Sequence, residues 1–119
     1  MENIATDYSW VTACRTDDLV ENSGICVLLE GRQIAIYQHG PSGTLYAMDN
    51  WDPIARASIL ARGLLAEHEG ELYVVSPLYK QRYSVETGIC LDAPEHCVGV
   101  YPVVIDGAHI RLALPCGVA

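Results

Sequence analysis

The feature that most constrains this chain is its punctuation. Turn-forming groups recur roughly every eight to twelve residues, among them Gly31-Arg32, Gly40-Pro41-Ser42-Gly43, Glu69-Gly70, Glu86-Thr87-Gly88 and Asp106-Gly107. The runs between them are rich in Val, Ile and Tyr, residues that suit a pleated surface better than a helix. Strands are therefore predicted at 10–14, 25–30, 33–39, 44–49, 64–67, 72–75, 81–85, 100–105 and 109–114. Within 33–39, Ile34, Ile36 and Gln38 share one face, while Ala35 and Tyr37 take the other. Thr16-Asp17-Asp18-Leu19 reads as a single helical turn, with Thr16 as its cap and two aspartates at its N-terminus.

Residues 52–63 break the alternation. They read as a loop with one helical turn near 57–60, ended by Gly63. A second loop, Ser76-Pro77-Leu78-Tyr79-Lys80, follows the 64–75 hairpin at once. The pattern is one all-β domain over 1–119, an antiparallel sandwich or barrel. Its base comes from about 8–48 and 89–114, with a loop-rich tip of about 49–88 inserted between.

Charge excludes some partners. The net charge is −8, with only seven basic residues and no run of them. A nucleic-acid binder needs clustered Lys and Arg to displace phosphate counterions, and an anionic membrane surface makes the same demand. No apolar stretch approaches a membrane span, and the first residues carry no basic-then-apolar export signal. The odd count of five cysteines, Cys14, Cys26, Cys90, Cys97 and Cys116, fits free thiols in a reducing cytoplasm better than a disulfide framework. Cys90 and Cys97 could pair, or bind metal with His96; free thiols are the default.

The two loops carry the functional signal. The first lies in Leu45-Tyr46-Ala47-Met48-Asp49-Asn50-Trp51-Asp52-Pro53-Ile54, the second in Ser76-Pro77-Leu78-Tyr79-Lys80-Gln81-Arg82-Tyr83-Ser84-Val85-Glu86-Thr87-Gly88. Together they resemble the two ligand boxes of Rieske-type ferredoxins, C-x-H and C-x-x-H. The likeness lies in Tyr46-Ala47, Asp49-Asn50, Pro53, Pro77, Tyr83 and Thr87-Gly88. Laid on that pattern, Asp52 and Ser76 stand where the cysteines would be, and Ile54 and Tyr79 where the histidines would be. A Rieske centre is held by two thiolates and two imidazoles. Ile54 has no donor atom, and the other three offer hard oxygens. The resemblance thus implies a Rieske-type fold without a cluster, and no catalytic, cofactor or metal residue in this chain.

The ligand-free version is similar to one family, the small subunits of assimilatory NAD(P)H-dependent nitrite reductases. The runs Ser76-Pro77-Leu78-Tyr79-Lys80-Gln81-Arg82-Tyr83-Ser84 and Asn50-Trp51-Asp52-Pro53 carry that likeness. It implies a partner large subunit that holds FAD, a [4Fe-4S] cluster and sirohaem and reduces nitrite to ammonium. This chain would be needed for full activity while binding none of those groups. A [2Fe-2S] electron-transfer ferredoxin, or an interaction module of another redox complex, are the alternatives. The candidate docking tip is Trp51, Ile54, Tyr79, Lys80 and Arg82. Ile54 and Tyr79 either refill the cluster's place and present that tip, or are ordinary core and rim residues. Arg56, Arg62, Lys80 and Arg82, four of the seven basic residues, all lie within 56–82 beside only three acids, Glu67, Glu69 and Glu71, so that stretch is basic in an acidic chain. The other reading of that pattern is a solvated mixed surface.

Overall fold

The computed structural model describes residues 8–40 and 42–115. Cys116 and Pro41 lie outside them. The regular structure of the described residues is almost all antiparallel strand: β1 (Tyr8–Arg15), β2 (Gly24–Leu29), β3 (Arg32–Gln38), β4 (Leu45–Asp49), β5 (Trp51–Asp52), β6 (Ala57–Ser58), β7 (Leu64–His68), β8 (Glu71–Val75), β9 (Arg82–Ser84), β10 (Val100–Tyr101), β11 (Val103–Asp106) and β12 (His109–Pro115). They form sheets in the order β1-β12-β11, β10-β4-β3-β2, β5-β6 and β7-β8-β9. The first and last described strands pair along their lengths, Tyr8 opposite Pro115 and Arg15 opposite His109.

The four-stranded sheet is the middle layer, and the alternation of β3 explains why. Ile34 and Ile36 point to one side, where they pack with Leu45, Ala47, Tyr101, Ile110, Leu112 and Leu114 against the β1-β12-β11 sheet. Ala35 and Tyr37 point to the other side and join Met48, Leu60, Val74, Tyr83, Val85, Cys90 and Val98 under the β7-β8-β9 sheet. A strand with two opposed apolar faces makes a two-sided layer, so the inserted segment is packed onto a second core. Tyr37, fully buried, donates its hydroxyl to the Leu60 carbonyl, which satisfies the phenol and ties the insertion to β3.

Two hairpins use paired left-handed residues, Glu30 (φ 50°) with Gly31 (φ 81°) and Glu69 (φ 52°) with Gly70 (φ 83°), the geometry that matches strand twist. The first turn is therefore Glu30-Gly31 rather than Gly31-Arg32. The β11–β12 turn is Gly107-Ala108, with Asp106 already paired to His109. The short helical turn at Thr16–Asp18 is present, but Thr16 does not cap it. The Asp18 carboxylate accepts from the Arg15 N–H at 2.8 Å instead. The helical turn of the insertion lies at Leu60–Arg62, not 57–60, because Ala57 and Ser58 pair with Asp52 and Trp51. Gly63 ends that turn at an ordinary φ of −76°. Glycine is required there by close approach, since a Cβ would sit 2.4 Å from the Val75 carbonyl oxygen.

Candidate functional site

The two loops start from residues in direct contact. The β5–β6 ladder turns Asp52 inward and leaves Trp51 outward. The β8–β9 register sets Val75 opposite Arg82 and Val74 opposite Tyr83, so Ser76 and Gln81 close the mouth of that hairpin. The Ser76 N–H donates to the Gln81 carbonyl at 2.8 Å. Asn50 fixes the first loop to the middle sheet. Its side chain donates to Gln33 Oε1 at 3.1 Å and accepts from the Ala61 N–H at 2.7 Å.

Asp52 is the centre of the arrangement. It is fully buried, as are Ser76 and Tyr83, and Gln81 nearly so. Its Oδ2 accepts from Ser76 Oγ at 2.5 Å and Gln81 Nε2 at 2.6 Å. Its Oδ1 accepts from Tyr83 Oη at 2.6 Å and from the Ile54 and Ala55 N–H groups at 2.9 and 3.2 Å. Two carboxylate oxygens thus take five donors, which saturates their acceptor capacity in practice. Burial works against the charge. The hydrogen bonds from Ser76, Tyr83 and the Ala55 and Ile54 amides outweigh it, and the carboxyl is held below its ordinary range. Burial, then the bond to Asp52, pushes the Tyr83 phenol far up, so it remains a donor.

A pH dependence follows. The unfolded chain protonates Asp52 near the ordinary carboxylate value of about 4, and the folded chain at lower pH. Stability from this group is complete above that range and is lost as pH falls through it toward the folded value. Urea midpoints measured from pH 7 to pH 3 are expected to drop on the acid side, with a shallower drop in Asp52→Asn.

The loops share one backbone design. In the first, the Arg56 N–H closes onto the Asp52 carbonyl at 2.7 Å; in the second, the Lys80 N–H closes onto the Ser76 carbonyl at 3.1 Å. Each has Pro in second place, Pro53 and Pro77, and a cation in fifth. Both cations are left-handed, Arg56 at φ 59° and Lys80 at φ 66°. That conformation costs an L-residue about 1–2 kcal/mol. Two turns closed by the same bond, His39 to Gly43 and Ser84 to Gly88, put glycine in that place.

The predicted tip residues separate. Tyr79 is 63% exposed and Trp51 49%, and Lys80 is exposed, so these reach solvent. Tyr79 accordingly does not refill any interior space. Ile54 is half-buried and packs on the core beneath the tip sheet. Arg82 is committed elsewhere: its guanidinium donates to Asp92 through Nε at 3.2 Å and Nη2 at 2.6 Å, and its own N–H donates to Asp92 at 2.8 Å. The Arg82 hydrogen bond in turn holds the Asp92 carboxyl below its usual range. Leu78, 53% exposed, belongs to the exposed tip and was missed. Its only sequence signal is an apolar residue between Pro77 and Tyr79.

The donor set does not fit a Rieske cluster. Ile54 offers hydrocarbon, both Asp52 oxygens are engaged by protein donors, and the Ser76 hydroxyl is directed into Asp52. Among the described residues, no three of His, Cys, Asp and Glu group in a way that could hold a metal ion. Cys14, Cys26, Cys90 and Cys97 are free thiols, with Cys90 buried and Cys97 exposed. No helix among the described residues is long and apolar enough to cross a membrane.

Comparison with known proteins gives a consistent picture. Residues 9–113 match the family model for the Rieske-like [2Fe-2S] domain. The nitrite reductase (NADH) small subunit of Salmonella typhimurium is 39% identical over 103 residues, 87% of this chain and 95% of that protein. The NMR structure of Escherichia coli NirD superposes with a TM-score of 0.81 at 36% identity, covering 90% of this chain and 97% of that one. A third relative is larger: 101 residues, 85% of this chain, are 38% identical to a stretch making up 10% of the nitrite reductase [NAD(P)H] large subunit of Klebsiella oxytoca.

Proposed function

Because the chain belongs to the Rieske-like [2Fe-2S] domain family and, within it, to the nitrite reductase small subunits, we propose that it is a cluster-free accessory subunit. It docks on a large subunit that reduces nitrite, and it supports that reaction without carrying electrons. The observation that carries this reading is Asp52. At the first ligand position of the ferredoxin pattern stands a buried carboxylate whose two oxygens are consumed by five donors of the chain itself. Such a group organises the loops and has nothing left to offer iron.

The Klebsiella relative supports the partnership. There a segment similar to this chain is part of the large-subunit polypeptide, which places it permanently beside the rest of that protein. A separate chain must reach the same arrangement by binding. Binding to the folded partner stabilises it by mass action. Ordering of a partner loop near its redox groups is the other way such a subunit can act, and both need only a docking surface. FAD, [4Fe-4S] and sirohaem then belong to the partner.

Two measurements test the reading. The purified chain is expected to be colourless, without stoichiometric iron or sulfide. Adding it to the isolated large subunit is expected to raise nitrite-dependent NADH oxidation severalfold. A red-brown protein with bound iron and sulfide would overturn the cluster-free assignment. Full activity of the large subunit alone would overturn the accessory role.

A further inference from the structure

The twin loops differ in one respect that bears on the partner. In the first loop, the N–H groups of Ile54 and Ala55 are both taken by the Asp52 carboxylate. The corresponding N–H groups of the second loop belong to Leu78 and Tyr79. The first residue there is Ser76, whose hydroxyl is turned away into Asp52. Leu78 and Tyr79 therefore have no internal carboxylate and donate to no other group among the described residues. Successive N–H groups beside a left-handed residue form a concavity suited to an anion. In the first loop the chain fills its own; in the second it leaves the place open.

The surroundings favour the same ligand. Arg56 and Lys80 end the two loops, are exposed, and form no ion pair among the described residues. They are cations in a chain of net charge −8. Glycine is the easier residue at both positions, as Gly43 and Gly88 illustrate in turns of the same closure. The fold alone does not call for charge there. Trp51, Leu78 and Tyr79 supply exposed apolar surface on the same two loops.

We propose that the second loop is completed by a carboxylate side chain of the partner, received by the Leu78 and Tyr79 amides beside Lys80, with Arg56 of the first loop adding positive charge and Trp51, Leu78 and Tyr79 packing on apolar partner surface. The occupant is thus an acidic, apolar-rimmed patch of the large subunit. This rests on the accessory-subunit reading and gives its interface a chemistry. The cations act by steering encounter and fixing register, and the aromatic and aliphatic side chains supply the buried contact.

The test is binding of the chain to the purified large subunit at low and high salt. The double variant Arg56→Gly, Lys80→Gly removes both charges and suits the left-handed backbone, so its urea midpoint is expected to equal or exceed that of the unaltered chain. Its affinity is expected to fall tenfold or more at low salt, with the difference shrinking as salt rises. Lys80→Glu is expected to weaken binding further, and Arg56→Lys with Lys80→Arg to retain it. Equal affinity and equal salt dependence of the glycine double variant and the unaltered chain would overturn this inference and leave the accessory role standing. If the unaltered chain does not bind the large subunit at all, both fall.

Discussion

Replacing Asp52 by Ala is expected to remove about 3–5 kcal/mol of folding stability, the largest effect of any single polar change in this chain. The loss is not that of one contact. Ser76, Gln81, Tyr83 and the Ile54 and Ala55 amides all point at this carboxylate from buried or half-buried positions. An alanine leaves five donors facing a space with no acceptor, each penalised by its own desolvation. A domain of this size has only about 5–15 kcal/mol in total, so the variant should lose a large share of its stability. Asn is expected to be much milder, about 1–2 kcal/mol. Its carbonyl can keep the Oδ1 partners. Its amide can be met by a rotated Gln81, whose Oε1 is buried without a partner. Urea denaturation of both variants checks the pair. If Ala were no worse than Asn, the network would not be what holds the loops together.

Gly88→Ala is the second, with an expected loss of about 3 kcal/mol or more. Gly88 has φ +79°, and a Cβ there would lie 2.0 Å from the Val98 carbonyl oxygen and 3.3 Å from Val100 Cγ1. Neither backbone can step aside cheaply. The Gly88 N–H donates to the Ser84 carbonyl at 2.8 Å, and its carbonyl accepts from the Val98 N–H at 2.9 Å. This is where the tip segment rejoins the strands below it, ahead of β10. Gly70→Ala separates the two causes, because Gly70 is also left-handed, at φ +83°, with open space where the Cβ would go. Its expected loss is about 1–2 kcal/mol, the conformational part alone. Equal urea midpoints for the two variants would mean that the approach to Val98 is not limiting.

The sequence made the layers legible where periodicity was strong. The alternation in Ile34-Ala35-Ile36-Tyr37 assigned each residue its face, and both faces are indeed cores. Turn chemistry located the hairpins to within one residue. What escaped was structure with no period. A two-residue ladder such as Trp51–Asp52 with Ala57–Ser58 has no repeat to detect. An aspartate just ahead of Pro53 suits an Asx turn to its own loop amides, but nothing local announces Ser76, Gln81 and Tyr83, which approach from 24 to 31 positions away. Arg82 looked free for docking because its clasp, Asp92, lies in a stretch without regular structure. The left-handed Arg56 and Lys80 were invisible too, since nothing in an Arg or Lys announces positive φ.

The pairing of Tyr8 with Pro115 has a consequence beyond architecture. A module entered and left at neighbouring points of one edge behaves as a cassette. It can be spliced into a longer polypeptide, or released from one, without unravelling what lies between. The Klebsiella protein, in which the matching stretch makes up 10% of a much larger chain, is consistent with such portability. Joining such a module to a longer chain, or freeing it, then leaves its paired strands and both cores as they are.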